Sequence, residues 1–370
     1  MNIAIVSTNK DKYSETFIQA QVKLLPANVH LLHSGYLPTL SGQDDQPLVK
    51  NTIVTKIQKW MGRSNEQMLQ QAVSKYLQQN KIQLVLAQYG PSGVKMMDIC
   101  HSMNIPLFVY FRGYDAYRKE ILDSYGKFYP QLFKIATKLF VVSHEMKDQL
   151  VRLGADKGKI IYNPSGADIN RFTYHNAGKN PRMFLSVGRF EETKNQNATI
   201  LAFQHVVEKF PDARLILVGD GPLRESCTPL VTSLNLGHAI EFTGILPHDD
   251  IARLMSQSRA FVLHSTTPPS GDKEGTPVSI MEASASGLPV VSTIHAGIPD
   301  VVTDGETGYL VDEGDIDGMA DRMMRFANDP NLATQFGLAG HRLINDRFTQ
   351  KHNIDLLWKT IQQCVNRSVI

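Results

Sequence analysis

Short apolar runs separated by longer amphipathic stretches recur along the whole chain, and this alternation limits the fold more than any other feature. A short apolar run bounded by turn formers and followed by a helix-length segment marks a strand buried on both faces, with a crossover helix behind it. In the first half the runs are NIAIVS (2–7), VHLLHS (29–34), LVLAQY (84–89), LFVYF (107–111), LFVVS (139–143) and KIIYN (159–163). In the second half they are MFLSVG (183–188), RLILVG (214–219), IEFTG (240–244), AFVLHS (260–265), PVVST (289–293) and GYLV (308–311). Parallel strands need such crossovers, so the expected class is α/β with open parallel sheets.

At 370 residues the chain exceeds one ordinary core, and two domains are expected. The polar, turn-rich TYHNAGKNPR (173–182) lies between the two sets of strands and is the linker candidate. Each sheet should place ligands beyond the carboxyl ends of its strands. Two such domains facing each other make a cleft suited to a small molecule. The tail NDRFTQKHNIDLLWKTIQQCV has helical spacing through Phe348, Ile354, Leu357, Trp358 and Ile361, so it is expected to cross back onto the first domain.

Charge and composition narrow the function classes. Hydrophobic content of 42% with 20% charged residues describes a globular protein, and a net charge of +2 argues against nucleic acid as a partner. Cys100, Cys227 and Cys364 are too widely spaced for a metal-ligand pattern, and their odd, sparse count suits a reducing compartment. MNIAIVST opens as a strand-like run without a basic leader, so no signal peptide is expected. No stretch approaches the ~18 apolar residues of a membrane span. A cytoplasmic location is the expectation.

The densest chemistry lies in KEGTPVSIMEASASGLPVVST (273–293). Thr276 is a good helix N-cap, Pro277 fits the first helical position, and Gly287 fits the position that ends the helix. Glu274 then lies just ahead of a helix N-terminus, and Glu282 about one and a half turns inside. That end offers free backbone N–H groups and a partial positive charge to phosphate. Carboxylates repel phosphate but bind hydroxyls, so a ligand carrying both groups fits: a nucleotide sugar. In SVGRFEETKNQN (186–197), Gly188 permits a tight turn, and Arg189 and Lys194 flank a helix start that Asn195 or Asn197 could cap. These cations read either as a diphosphate clamp or as solvated loop charges.

Other motifs read more simply. LILVGDGPLRE (215–225) lacks the full glycine spacing of a dinucleotide fingerprint, so its glycines are turn formers. Asp249 and Asp250, like Asp315 and Asp317, suit helix first turns better than a metal. HEMKD (144–148) lacks the second histidine of a zinc-protease helix.

The set VGRFEETKN, VGDGP, FTG, EGTPVSIMEASASGLPVVST and GIPDVVTDGETGYLV resembles the family-four glycosyltransferases, whose E-x7-E pair would be Glu274 and Glu282. In the first half SETFI (14–18), FRGYDAY (111–117) and VSHEMKDQLVRLGADKGKIIYNPSGADINRF (142–172) look like the same family. They look most like its bacterial members that assemble exopolysaccharide, colanic-acid-type or O-antigen units. The resemblance implies a GT-B fold: two Rossmann-like domains facing a cleft, with a C-terminal helix crossing back. It places the first domain, for the acceptor, at 1–176 with 347–370, and the second, for the donor, at 177–346.

By the same resemblance the enzyme retains anomeric configuration and moves a hexose from a UDP- or GDP-sugar to a glycan or lipid-linked acceptor. No cofactor or metal is expected. Arg189 and Lys194 would hold the donor diphosphate, Glu274 the sugar hydroxyls and Glu282 the ribose hydroxyls. The amides of Gly275 and Thr276 would lie near the transferred sugar and phosphate, and Gly188, Gly244, Leu246, Pro277 and Val278 would complete the donor side. Glu15, Arg112, Asp115 and His144 would serve the acceptor and sugar.

Two departures stand out. NKDKYSETF follows the first strand where many relatives carry Gly-Gly, and Arg112-Gly113-Tyr114-Asp115 replaces a common His-Gly-Tyr-Asp. Arginine is permanently charged and cannot act as a base; it would bind phosphate or an acidic sugar, or pair with Asp115.

Three other classes share parts of this pattern. An epimerase of similar architecture would need acid and base groups flanking the sugar carbon. A dehydrogenase would need a complete Gly-x-Gly-x-x-Gly. A two-lobed sugar-binding module would normally be secreted. Finally, LVKNTIVTKIQKWMGRSNEQM (48–68) places Ile53, Ile57, Trp60 and Met61 on one helical face flanked by Lys56, Lys59 and Arg63. That face suits either the core or an anionic membrane surface.

Overall fold

A computed structural model describes residues 1–10, 13, 15–49 and 62–367. Most of the basic segment 48–68, including Lys56, Lys59 and Trp60, lies outside the described residues. Among those described, no helix is long and apolar enough to cross a membrane.

The chain forms two compact units, Met1–Asn163 with Asn353–Ile370, and Pro164–His352. All twelve strands expected from the sequence are present, each within two residues at either end. The first unit carries β1 (Asn2–Val6), β2 (Asn28–His33), β3 (Leu40–Ser41), β4 (Gln46–Pro47), β5 (Leu84–Gln88), β6 (Leu107–Phe111), β7 (Lys138–Val141) and β8 (Ile160–Tyr162). They lie in the order β4-β3-β2-β1-β5-β6-β7-β8. Strands β3 and β4 are antiparallel two-residue additions, too short to leave a periodic signal in the sequence. Burial on both faces explains the unbroken apolar runs: Ile3 to Val6, Leu84 to Ala87 and Leu107 to Phe111 are all inaccessible or nearly so.

The second unit carries β9 (Met183–Val187), β10 (Arg214–Val218), β11 (Ile240–Gly244), β12 (Ala260–Leu263), β13 (Val290–Thr293) and β14 (Gly308–Val311). All are parallel, in the order β11-β10-β9-β12-β13-β14. In both sheets the winding reverses beside the first strand, between β1 and β5 and between β9 and β12. At such a reversal the loops leaving the two neighbouring strands diverge and open a crevice at their carboxyl ends.

The chain leaves the first unit at Asn163 and re-enters it at Asn353, so the units differ from the expected boundaries at 176/177 and 346/347. The stretch read as a linker is tied down within the second unit. Just ahead of it Ala167 exchanges backbone bonds with Phe348 and Gln350, and within it His175 N–H donates to Ser286 O at 2.9 Å and Asn176 accepts from the Thr334 hydroxyl at 2.7 Å. At the far end Phe348 is the C-cap of the helix Pro330–Arg347, with a non-helical φ of −128° and ψ of 39°, so it does not join the following helix. That helix, Gln350–Arg367, packs Ile354, Leu357 and Ile361 into the first unit's core, with Trp358 partly buried against it.

Candidate active site

The two loops at the second sheet's reversal are stitched together. After β9 the chain makes a tight turn through Gly188, and Lys194 ends a short 3-10 helix. Asn195 adopts a left-handed conformation and caps the helix Gln196–Lys209 through its side chain, which accepts from Ala198 N–H at 3.3 Å. After β12, Thr266 N–H donates to Thr193 O at 3.0 Å, joining this loop to the one from β9. The same loop carries Glu274, and Lys194 Nζ lies 2.7 Å from its Oε1. Both side chains are largely enclosed, 14% and 12% exposed, so Lys194 is not a solvated loop charge. The Ser265 hydroxyl donates to the same oxygen at 3.3 Å.

Glycines after β10 make room for the β9 loop, while at Gly188 a Cβ would only reach ordinary contact, 3.4 Å from the Lys194 stem. One on Gly219, at φ +130°, would fall 2.0 Å from Gly188 O, so the glycines after β10 let two loop backbones touch. Arg189 is more open, with a 40% exposed side chain whose Nη1 pairs with Glu191.

The helix behind Glu274 spans Val278–Ala285, one residue later than expected. Its N-cap is Pro277, with ψ of 116°, and not Thr276. The Pro277 carbonyl accepts from Ile280 and Met281, so the first turn closes on the proline, whose ring supplies no cap bond of its own. The N–H groups of Val278 and Ser279 have no acceptor within the helix. At the other end Leu288 N–H bonds to Ala283 O and Gly287 N–H to Ser284 O, a Schellman motif with Gly287 at φ +86°.

Glu282 points from this helix into a buried setting, 8% exposed. Burial pushes its carboxyl up to about 8, partly offset by Arg171 and reinforced by Asp168. At the end of β11, Gly244 takes φ +73° and its carbonyl accepts from Gly219 N–H at 2.8 Å, while Leu246 is half-buried. Gly275 and Thr276 are buried beside Glu274.

In the first unit the Arg-Gly-Tyr-Asp loop follows β6. Asp115 is fully buried and accepts from the N–H groups of Gly90 (2.9 Å), Arg112 (2.9 Å) and Gly113 (3.0 Å). It therefore pins the backbone after β5 and β6, although burial raises its pKa. Arg112 Nε donates to Gln88 at 2.9 Å, and its guanidinium is held between the rings of Phe17 and Tyr110, at 3.9 and 3.8 Å. Burial lowers the Arg112 pKa, and Tyr110, Tyr89, Asp115 and Glu15 oppose that. Glu15, 9% exposed, stands at the N-cap position of the helix Thr16–Leu24 without a side-chain cap bond, and Asn9 Nδ2 reaches its Oε1 at 3.5 Å. His144 starts the helix His144–Arg152 and stacks on Tyr162 with ring centroids 4.1 Å apart.

The acidic pairs have the roles their positions suggested. Asp315 caps the helix Ile316–Asn328, Asp249 and Asp250 lie in a helix first turn, and each of these last two pairs with an arginine. Sequence reasoning missed Tyr89, held at φ +73° between β5 and its helix, and the pair His295 and Glu313 described below. Neither had a signal beyond a polar or aromatic residue after an apolar run.

A profile described as Glycosyltransferase Family 4 matches residues 15–171, and one described as Glycosyl transferases group 1 matches 170–342. The chain belongs to the family-four glycosyltransferases.

Among relatives of this chain, WcaL of Salmonella typhimurium, named for colanic acid biosynthesis, is 32% identical over 65% of this chain and 61% of its own length. AmsK of Erwinia amylovora, an amylovoran biosynthesis glycosyltransferase, is 30% identical over 65% of this chain and 60% of its own. The chain thus spans about six-tenths of the length of these curated relatives. Among solved structures, Anabaena Alr3699/HepE in complex with UDP superposes with a TM-score of 0.80 at 16% identity, covering 98% of this chain and 100% of that one. Sucrose-phosphate synthase from Thermosynechococcus elongatus gives 0.77 at 18% identity, covering 99% of both. At these identities the likeness concerns the fold, and the fold of this chain is GT-B.

Proposed function

We propose that this glycosyltransferase moves a hexose from a UDP- or GDP-sugar to a glycan or lipid-linked acceptor in bacterial surface polysaccharide synthesis, with retention of configuration and without a metal. The observation that carries the reading is the Lys194–Glu274 pair, 2.7 Å long, placed beyond the carboxyl ends of β9 and β12 and just ahead of a helix whose N-cap residue, Pro277, makes no side-chain cap bond. The relatives' names favour polysaccharide assembly, and UDP is bound in the solved neighbour.

In this reading the diphosphate rests on the N–H groups of Gly275, Thr276, Val278 and Ser279, where the helix end favours negative charge. As the sugar–phosphate bond breaks, the leaving diphosphate gains charge and Lys194, assisted by Arg189, stabilises it. A unit charge pair at ~4 Å is worth about 4 kcal/mol at an effective dielectric near 20, enough for side chains to take a metal's part. Glu274 accepts from sugar hydroxyls and Glu282 from the ribose. Retention by double displacement would need a carboxylate under the sugar's far face. The reading instead takes the acceptor in on the face that the diphosphate leaves, with the departing phosphate receiving its proton. Arg112, Glu15, Asp115 and His144 serve the acceptor side, with Arg112 a fixed cation for phosphate or an acidic sugar.

Thermal-shift screening against UDP-, GDP- and ADP-sugars tests the donor. A ligand at a hundred times its Kd stabilises by about 2.7 kcal/mol, a rise of several degrees. Anomer analysis of the product tests retention. Stabilisation by none of these nucleotides, or an epimer formed without any acceptor, refutes the reading.

A further inference from the structure

Two buried histidines secure the loop that carries Glu274, and the chemistry above uses neither. His264 Nε2 accepts from Gly314 N–H at 2.9 Å, and its Nδ1 faces Met319 Sδ at 3.2 Å. His295, with a fully enclosed side chain, is nearer the reaction. Its Nε2 accepts from the backbone N–H of Glu274 itself, at 3.1 Å. A backbone N–H can only donate, so Nε2 carries no proton and the ring's single proton lies on Nδ1. That proton points at Glu313 Oε1, 2.6 Å away.

Glu313 completes the clamp. It accepts the N–H of Thr267 at 2.7 Å and the Thr267 hydroxyl at 3.1 Å. The Glu313–His295 pair therefore grips the loop after β12 at both ends, near its start at Thr267 and at Glu274. The support comes from the ends of neighbouring strands: His295 follows β13 and Glu313 follows β14. Side-chain bonds lock those strand ends in turn, with Thr293 donating to Ser265 O and Ser292 to Leu263 O, both at 2.7 Å. The residue after His295, Ala296, is held at φ +45°, a left-handed conformation that an alanine adopts only where its surroundings impose it.

We infer that His295, fixed as its Nδ1-protonated tautomer by Glu313, is a positioning residue that holds the Glu274 backbone so that its carboxylate meets both Lys194 and the reacting sugar. This rests on the glycosyl-transfer reading and adds to it a dependence of turnover on one imidazole outside the donor contacts.

The two amide substitutions at position 295 separate the bonds. In His295→Gln the side-chain oxygen reaches the place of Nε2 and still accepts from Glu274 N–H. In His295→Asn the shorter amide reaches only the place of Nδ1, keeping Glu313 and losing Glu274. With the full chain, release of UDP or GDP from UDP-glucose, UDP-N-acetylglucosamine and GDP-mannose gives kcat, and titration with UDP and GDP gives affinity. Asn is expected to lower kcat about ten- to a hundred-fold, the scale of a small misplacement of a reacting group, and Gln by much less. Both should keep nucleotide affinity within about threefold. Glu313→Ala, which removes the acceptor of the Nδ1 proton, should lower kcat in the same direction. In wild type the imidazole ¹⁵N signals should show a protonated Nδ1 and an unprotonated Nε2. Equal kcat in the Asn and Gln enzymes, wild-type kcat in Glu313→Ala, or parallel loss of kcat and nucleotide affinity overturns the inference. A wild type that neither binds these nucleotides nor releases them overturns the glycosyltransferase reading instead.

Discussion

Lys194 Nζ lies 2.7 Å from Glu274 Oε1, joining the loops that leave two neighbouring strands of the second sheet. Each residue needs the other, because removing one partner of an enclosed ion pair leaves an uncompensated charge.

Lys194→Ala should cut kcat/KM roughly 10²- to 10³-fold, the usual scale for losing one charge-stabilising donor. Arg189→Ala should cost less, since that side chain is 40% exposed and shared with Glu191. Donor kinetics of both variants check this. Wild-type values for Lys194→Ala would show that the pair is structural.

The two glutamates should separate turnover from nucleotide affinity. Glu274→Gln should lower kcat more than it weakens free UDP or GDP, because its partner in the reading is the transferred sugar. Glu282→Ala should weaken the free nucleotide as well. Calorimetric titration of both variants decides it, and equal losses in the two would refute the division.

Glu282 also makes stability depend on pH. Its carboxyl is raised from 4.5 to about 8 in the folded protein. A group raised on folding stabilises fully below its unfolded value, and that contribution is lost as pH rises through the folded one. Wild type should therefore lose stability between about pH 4.5 and 8 relative to Glu282→Gln, which cannot ionise. Melting curves of the two proteins at pH 5 and pH 9 measure this. The gap in Tm should widen in favour of the glutamine variant at pH 9, and a constant gap would contradict the buried, neutral carboxyl.

Transfer should survive exhaustive EDTA treatment nearly unchanged. In the proposed reaction Lys194 supplies positive charge in place of a divalent ion, and Asp249, Asp250, Asp315 and Asp317 serve helix first turns. Loss of activity on chelation, restored by Mn²⁺ or Mg²⁺, would assign the charge stabilisation to a metal.

The sequence by itself determined the twelve longer strands, because a strand buried on both faces is apolar throughout and announces itself locally, whereas the two-residue β3 and β4 left no signal. It also determined the helix end at Gly287, which needs a left-handed residue, and the spacing of Glu274 and Glu282 around one helix start. Where signals were only local they slipped by a residue: Thr276 and Pro277 both suit a helix start, and the turn closed on the proline carbonyl. The polar 173–182 segment read as a linker because its composition does not reveal that Asn176 and His175 have partners on distant helices. Only the tertiary structure decided that Lys194 faces Glu274 and that His295 holds the Glu274 backbone. Those contacts exist because β9, β12, β13 and β14 are neighbours in one sheet. Strand order follows from how all the crossover helices pack together, and no short stretch of sequence contains that information.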